Sequence, residues 1–149
     1  MTMTNDLDAI NADLMGGSAR SAFGRDVRQG DAISGEIISV VRRQRRDRET
    51  GALLYWVNRK PTPAAAADGQ PVMDSIVIVQ TDLQEDNDDD GLRALYLDRE
   101  VQAALRTALR KARVSGIEIG GYLDEFMFLG TNERGGRVYE LRAYQPPAA

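Results

Sequence analysis

Cysteine and histidine are both missing from the 149 residues of the chain. Without them the protein can form no disulfide bond and offers no thiolate nucleophile, imidazole base or usual zinc ligand. Carboxylate sites for hard cations remain, and the glycine pairs are not followed by the Gly-Lys-Ser/Thr of a phosphate loop. We therefore expect no metal, no cofactor and no catalysis from this chain, which matches one modest domain in length.

Long apolar runs are missing as well. No stretch approaches the roughly 20 apolar residues that a membrane helix requires. Asp6, Asp8 and Asp13 lie within the first 14 residues, where a signal peptide would be basic and then apolar. From these two features we expect no membrane contact and a cytosolic location.

Positive charge is scarce overall, because the net charge is −4, and this argues against a partner with a phosphate backbone. The charges are nevertheless segregated along the sequence. Residues 82–90 hold six acids and no cation, whereas residues 42–60 hold seven cations against Asp47 and Glu49. The seven cations are Arg42, Arg43, Arg45, Arg46, Arg48, Arg59 and Lys60. This clustering keeps an anionic partner plausible despite the net charge.

Hydrophobic periodicity predicts five strands and one helix. The predicted strands are Ala32–Arg43, Leu53–Asn58, Asp74–Thr81, Ile117–Leu129 and Arg137–Tyr144, and the helix runs from Leu97 to an end near Gly116. Gly35 inside the first strand indicates a bulge or bend. The β-branched run in 74–81 is typical of a strand buried on both faces. Residues 60–71, with three prolines and Asp68-Gly69, are predicted to be a loop.

The order of these elements is strand, strand, strand, helix, strand, strand. This is the order of an OB-fold, so we expect a mainly β protein built as an OB-fold-like five-stranded barrel with one helix. Residues 1–29 are predicted to be a flexible N-terminal arm, residues 30–145 the domain, and residues 146–149 a short tail. Other five-stranded arrangements fit the same order.

The basic segment, residues 42–48, and the aromatic pair Tyr55-Trp56 that follows it form the candidate nucleic-acid-binding site together with Arg59 and Lys60. Guanidinium groups can pair with phosphates or stack on bases, and aromatic rings supply flat stacking surfaces. Neighbours on a strand point to opposite faces, so only one of Tyr55 and Trp56 can line the site, and Trp56 is the expected exposed ring. The candidate residues are Arg42, Arg43, Arg45, Arg46, Arg48, Tyr55, Trp56, Arg59 and Lys60. The alternative is a solvated hairpin tip with both rings in the core.

The acidic stretch 86–91 reads Asp-Asn-Asp-Asp-Asp-Gly and could be taken for a calcium loop. An EF-hand closes with a Glu beyond its glycine, which this chain lacks, and its loop lies between two helices. Here the predicted neighbours are a strand and a helix. We therefore expect a solvated loop that repels misplaced nucleic acid or contacts a basic partner.

Several short motifs resemble a family of small proteins encoded by bacteriophages of actinobacteria. The motifs are Trp56-Val57-Asn58-Arg59-Lys60-Pro61, Gln80-Thr81-Asp82, the segment from Asp88 to Tyr96, Gly120-Gly121 and the closing Tyr144-Gln145-Pro146-Pro147. The resemblance covers roughly residues 30–147 and implies no catalytic residue. Some members are described as single-stranded DNA-binding proteins. Where the family pattern has Asp-Gly before Lys-Pro, this chain has Asn58-Arg59, which adds a cation and puts the local turn in doubt.

Three functions follow as hypotheses. The first is a phage single-stranded DNA-binding protein of the host cytosol, sequence-tolerant, with a role in replication or recombination, host or phage replication proteins as further partners, and a slight preference for a homo-oligomer. The second is a phage module that binds or inhibits a host protein through its charge-segregated surface. The third is a minor virion or assembly component. DNA and RNA are not distinguished by the sequence.

Overall fold

A computed structural model of the chain describes residues 19–63 and 69–148. Strands account for 46% of the structure, and the described part contains one helix. The elements are β1 (Arg20–Ser21), β2 (Ala32–Gln44), β3 (Leu54–Val57), β4 (Lys60–Pro63), β5 (Met73–Gln80), β6 (Leu92–Tyr96), α1 (Arg99–Ala112), β7 (Tyr122–Thr131) and β8 (Arg137–Gln145). The chain divides into two compact units. The second unit is Arg42–Ser75, and the described residues on either side of it belong to the first unit.

The first unit is organised by a sheet that curls into a half-barrel. The strand order is β1-β6-β5-β2-β7-β8, with β1 parallel to β6 and the pairs β5–β6, β2–β7 and β7–β8 antiparallel. The register of β2 against β7 shifts between Ile33 and Gly35, as expected from the glycine in this strand. A Cβ at Gly35 would lie 2.0 Å from the carbonyl oxygen of Gln80, so only glycine allows β5 to approach this closely.

β5 is buried on both faces, which confirms the prediction from its β-branched run. Val77 and Val79 belong to the main core, whereas Ile76 and Ile78 belong to a smaller cluster with Val41. All four β5 side chains are at most 1% exposed. The main core consists of Ile33, Ile37, Val77, Val79, Leu95, Val101, Ala104, Leu105, Ala108, Leu123, Phe126, Leu141 and Tyr144.

The helix α1 packs its apolar stripe into the main core. Asp98 caps its first turn, because the Asp98 carboxylate accepts a hydrogen bond from the Val101 amide at 2.9 Å. The helix ends earlier than predicted. Arg113, with a φ of 60°, is the left-handed cap, and the Val114 amide donates to the Leu109 carbonyl at 3.1 Å. Val114 packs against the core, so this contact ends the helix before Gly116.

Part of the predicted N-terminal arm is hydrogen-bonded to strands at both ends of the sheet's strand order. Residues 1–18 of this arm lie outside the described residues. Residues 20–21 pair with β6, and the Ala22 amide donates to the Ala94 carbonyl at 2.9 Å. From β8, the Arg137 guanidinium donates to the Phe23 carbonyl at 2.9 Å, and the Phe23 ring lies 5.1 Å from that of Tyr139. The segment 20–24 therefore contacts both β6 and β8.

The acidic loop 82–90 is folded onto two arginines instead of being only solvated. The Arg93 guanidinium donates to both Asp89 carboxylate oxygens, at 2.9 and 2.7 Å, and the two side chains are 3% and 1% exposed. The Glu85 and Gly91 amides also donate to Asp89. Arg20 donates to Asp86 at 2.9 Å. The bond from Arg93, followed by the two amide bonds, holds the pKa of Asp89 well below its ordinary value.

Several predicted boundaries were wrong. Residues 92–96 form β6, although no strand was predicted there, because five residues with Arg93 in second place show no clean alternation. Residues 60–63, predicted as loop, form β4, since Pro61 and Pro63 lie on an edge that tolerates a missing donor. The strand predicted from Ile117 begins at Tyr122, after the turn at Gly120. No helix in the described residues is long and apolar enough to cross a membrane.

The buried ion pair generates a stability prediction. Replacing Arg93 with Met leaves the Asp89 carboxylate buried without its partner, so the unfolding free energy should fall by about 3–5 kcal/mol. The double variant Arg93→Met/Asp89→Asn carries no buried charge and should recover part of that loss. Urea unfolding of the parent, both single variants and the double variant gives the coupling energy. Additive losses would show that the two side chains do not stabilise each other.

The same pair sets a pH dependence whose sign follows from the pKa of Asp89. Because this pKa is lower in the folded state than the value of about 3.9 in an unfolded chain, the stabilisation is complete above about pH 4. It is lost as the pH falls towards the folded pKa. The stability difference between the parent and Asp89→Asn should therefore shrink in acid. A difference that grows below pH 4 would contradict the pair.

Candidate nucleic-acid interface

The basic segment ends in a turn that hydrogen bonds to the Asp47 side chain stabilise. The Asp47 carboxylate accepts from the Glu49 and Thr50 amides at 2.8 and 3.0 Å, and these bonds lower its pKa. Arg46 and Leu53 pair across the turn, and the Asp47 amide donates to the Ala52 carbonyl at 2.8 Å. These hydrogen bonds form a turn and hold the backbone that carries Arg48 at the tip.

A second turn joins β3 to β4 through two residues with left-handed backbone. Asn58 has a φ of 50° and Arg59 a φ of 65°, and positive φ at both central positions is the requirement of a type I′ hairpin turn. Asn accepts this conformation readily, but an arginine there is strained by its Cβ. The turn that the Asn58-Arg59 substitution put in doubt therefore forms, and it places the Arg59 side chain at the hairpin tip.

The β3–β4 hairpin separates the two aromatic side chains onto opposite faces. In the register, Trp56 lies opposite Pro61, and Tyr55 lies opposite Thr62. Trp56 is 44% exposed, whereas Tyr55 is half-buried and Leu54 is buried. The expectation that Trp56 is the more exposed ring is confirmed. Trp56 and Pro61 share one face, so a flat apolar surface faces solvent there.

The edge of β3 that does not pair with β4 contacts residues 69–72. The Trp56 amide donates to the Gln70 carbonyl at 2.8 Å, and the Val72 amide donates to the Leu54 carbonyl at 3.0 Å. A Cβ at Gly69 would lie 1.9 Å from the Trp56 carbonyl oxygen, so this approach requires glycine. With β4 on one edge and residues 70–72 on the other, the backbone of Trp56 is held on both sides.

Apart from Arg43, which is exposed, the candidate cations fall into two groups. The first group makes hydrogen bonds within the protein. Arg45 is held by Asp74, since its Nε and Nη2 donate to one carboxylate oxygen at 3.0 and 2.8 Å, and Arg46 donates to the Gly51 carbonyl at 2.9 Å. The remaining cations are exposed and form no ion pair with the described residues: Arg42, Arg48, Arg59 and Lys60. Arg45 therefore has a structural contact, whereas the second group is available to a ligand.

Three contributing residues were not found by sequence reasoning. Pro61 was assigned to a loop, although its place opposite Trp56 follows once the two-residue turn is recognised. Gly69 appeared only as a turn signal, and its close approach to Trp56 depends on tertiary contact. Asp74 lies 29 residues from Arg45, and no local pattern could pair them.

The arrangement suits non-covalent binding of an anionic, aromatic ligand. It combines an exposed indole ring with guanidinium and ammonium groups on a hydrogen-bonded backbone. In the part of the chain that the structure describes, no group of three or more acidic side chains could hold a metal ion. Comparison with protein-family models gave no match, and comparison with curated protein sequences gave none either.

The strained turn generates a prediction about stability. Replacing Arg59 with Gly removes the Cβ that opposes positive φ, so the protein should gain about 0.5–1 kcal/mol of unfolding free energy after the added freedom of the unfolded chain is counted. Urea unfolding should show a higher midpoint with an unchanged slope. Arg59→Lys is the control, because it keeps the Cβ and should not gain stability. Equal gains in both variants would contradict strain as the cause.

Proposed function

We propose that the second unit binds single-stranded nucleic acid without strong sequence preference. The observation that carries the proposal is the exposed Trp56 ring, held on a braced hairpin within a segment of seven cations and two acids. In the proposed complex, bases stack on Trp56 against the Pro61 side of the hairpin. Arg42, Arg48, Arg59 and Lys60 contact phosphates, and Arg43 and Arg46 lie in the same basic segment.

The distribution of charge supports this choice of surface. The second unit contains seven cations and four acids, a net charge of +3, while the rest of the chain carries −7. A phosphate backbone is attracted to the second unit as a whole, whereas the net charge of the rest of the chain gives it no general attraction. The overall acidity is therefore compatible with a local phosphate-binding surface.

The two faces of the β3–β4 hairpin carry different kinds of side chain, which favours a separate role for each face. Lys60 lies opposite Val57 and Thr62 opposite Tyr55, and Arg46 pairs with Leu53, so these polar groups share the face of Tyr55. Trp56 and Pro61 share the other. Stacking on one face and phosphate contact on the other and at the tip is the division that we propose. Tyr55, being half-buried, has at most a partial contact.

We further propose that the sheet of the first unit is of OB type. Its five longer strands lie in the order β6-β5-β2-β7-β8, with α1 between β6 and β7 in the chain. Read as β2, β5, β6, α1, β7, β8, they follow the strand and helix order of an OB-fold. The β3–β4 hairpin is then an insertion between the first two barrel strands. In OB proteins this connection commonly contacts oligonucleotides, which supports the proposed site.

The resemblance to phage proteins favours single-stranded DNA in the cytosol of an infected host as the ligand. The proposed role is binding without catalysis, in replication or recombination, where host or phage replication proteins would be further partners. This assignment depends on the binding site, because folds of this type serve many functions.

The stacking contact can be tested with Trp56→Ala. The loss of one base–aromatic contact should weaken binding to oligo-dT by about 1–3 kcal/mol, or roughly 5- to 150-fold, while stability changes little because the ring is exposed. Trp56 is the single tryptophan, so quenching of its fluorescence reports the contact directly. Tyr122→Ala, at 39% exposure in the first unit, is the matched control and should bind like the parent. Equal affinity for duplex and single strands would contradict stacking.

The phosphate contacts can be tested through the salt dependence of binding. Replacing Arg42 and Arg48 with Gln removes two exposed cations, and at about 0.7 per contact the slope of log affinity against log salt should flatten by about 1.4. Fluorescence anisotropy of a labelled single strand gives the slope. The control replaces Arg25 and Arg28, which are exposed cations of the first unit, and has the same net charge.

The comparison of these two double variants decides the proposal. If both flatten the slope equally, the effect comes from net charge and not from this surface. If the parent itself binds no single strand, the hypothesis of a protein partner for the charged surface takes precedence.

A further inference from the structure

A second basic surface lies on α1, in the first unit. We define the arginine ridge as Arg99, Arg106 and Arg110, which fall within about 40° of one another around the helix and span about 16 Å along it. All three are exposed. They lie opposite the buried stripe of the helix, Val101, Ala104, Leu105 and Ala108. Lys111 and Arg113 add two more exposed cations at the C-terminal end.

Intramolecular contacts do not account for the ridge. The helix dipole favours Arg110 near the C-terminus but disfavours Arg99 at the first helical position. Arg106 has only a long bond of 3.4 Å to Gln102. None of the three forms an ion pair with the described residues, although this unit is rich in acids. Three like charges in one row are mutually repulsive, so an external anion would stabilise them.

The surroundings of the ridge favour a phosphate backbone over other anionic surfaces. Gln102, Ala103 and Thr107 lie between the arginines, and the helix exposes no large apolar side chain. Protein interfaces are usually anchored by buried apolar or aromatic groups, which the ridge lacks. Insertion into a lipid surface would need the apolar stripe, which is already buried in the core. Guanidinium groups can bind phosphate oxygens in pairs without an apolar anchor.

We propose that the arginine ridge is a second contact for the nucleic-acid phosphodiester backbone. The inference rests on the proposed function and extends it, because it adds a purely electrostatic surface in the first unit to the stacking surface in the second. The ridge contacts the strand through its phosphates alone, independently of the Trp56 surface.

The test compares Arg99→Gln/Arg106→Gln with the parent on oligo-dT of about 30 nucleotides. Gln is a good helix former and neither position lies in the last turn, so the helix should remain intact, as circular dichroism can verify. The slope of log affinity against log salt should flatten by about 1.4 in the ridge variant. The control Arg25→Gln/Arg28→Gln should match the parent.

Each other outcome overturns the inference. If the ridge variant keeps the parent's salt slope while the Arg42→Gln/Arg48→Gln variant has a flatter one, the ridge proposal is wrong and the proposed function stands. If the parent does not bind the strand, both proposals are wrong. If the ridge variant changes the sedimentation of the free protein and leaves the slope unchanged, the ridge contacts an acidic surface of a second copy.

Discussion

Burial of β5 on both of its faces is the constraint on which the first unit depends. A strand with apolar side chains on both sides needs a layer on each, and here the main core covers Val77 and Val79 while the smaller cluster covers Ile76 and Ile78. β5 lies between β2 and β6 in the sheet. Its close approach to β2 requires glycine at position 35. The position of β5 thereby determines where its two neighbouring strands lie.

The loop that follows β5 carries six acids, which would repel one another if they had no positive partners. Ion pairs with two arginines hold this loop in place. Arg20 and Arg93 lie side by side in the β1–β6 pair, and Asp86 and Asp89 of the loop neutralise them. A buried pair of this kind is costly to desolvate and adds little net stability, but breaking it is expensive. It therefore favours one folded form of the loop over others. Acids that resemble a metal site in the sequence thus have a structural role.

The second unit places its exposed charges beside turns and strands that hydrogen bonds hold in place. Asp47 staples one turn, Gly69 allows residues 70–72 to pair with β3, and Asp74 holds Arg45. Arg59 is an exception, because its backbone is strained and glycine would fit its turn better. Strain kept at a charged, exposed tip is typical of positions selected for contact, which agrees with the proposed phosphate role.

The sequence by itself determined the local features of this protein. The mainly β class, the burial of β5, the exposure of Trp56 and the amphipathic helix all follow from residue period and strand alternation, which depend on near neighbours. Only the tertiary structure decided which distant groups meet. The pair Arg20–Asp86, the bond from Arg45 to Asp74 and the approach of Gly69 to Trp56 depend on how strands are ordered and registered. No local pattern encodes that choice, because a partner far along the chain lowers the free energy only once the sheet has formed.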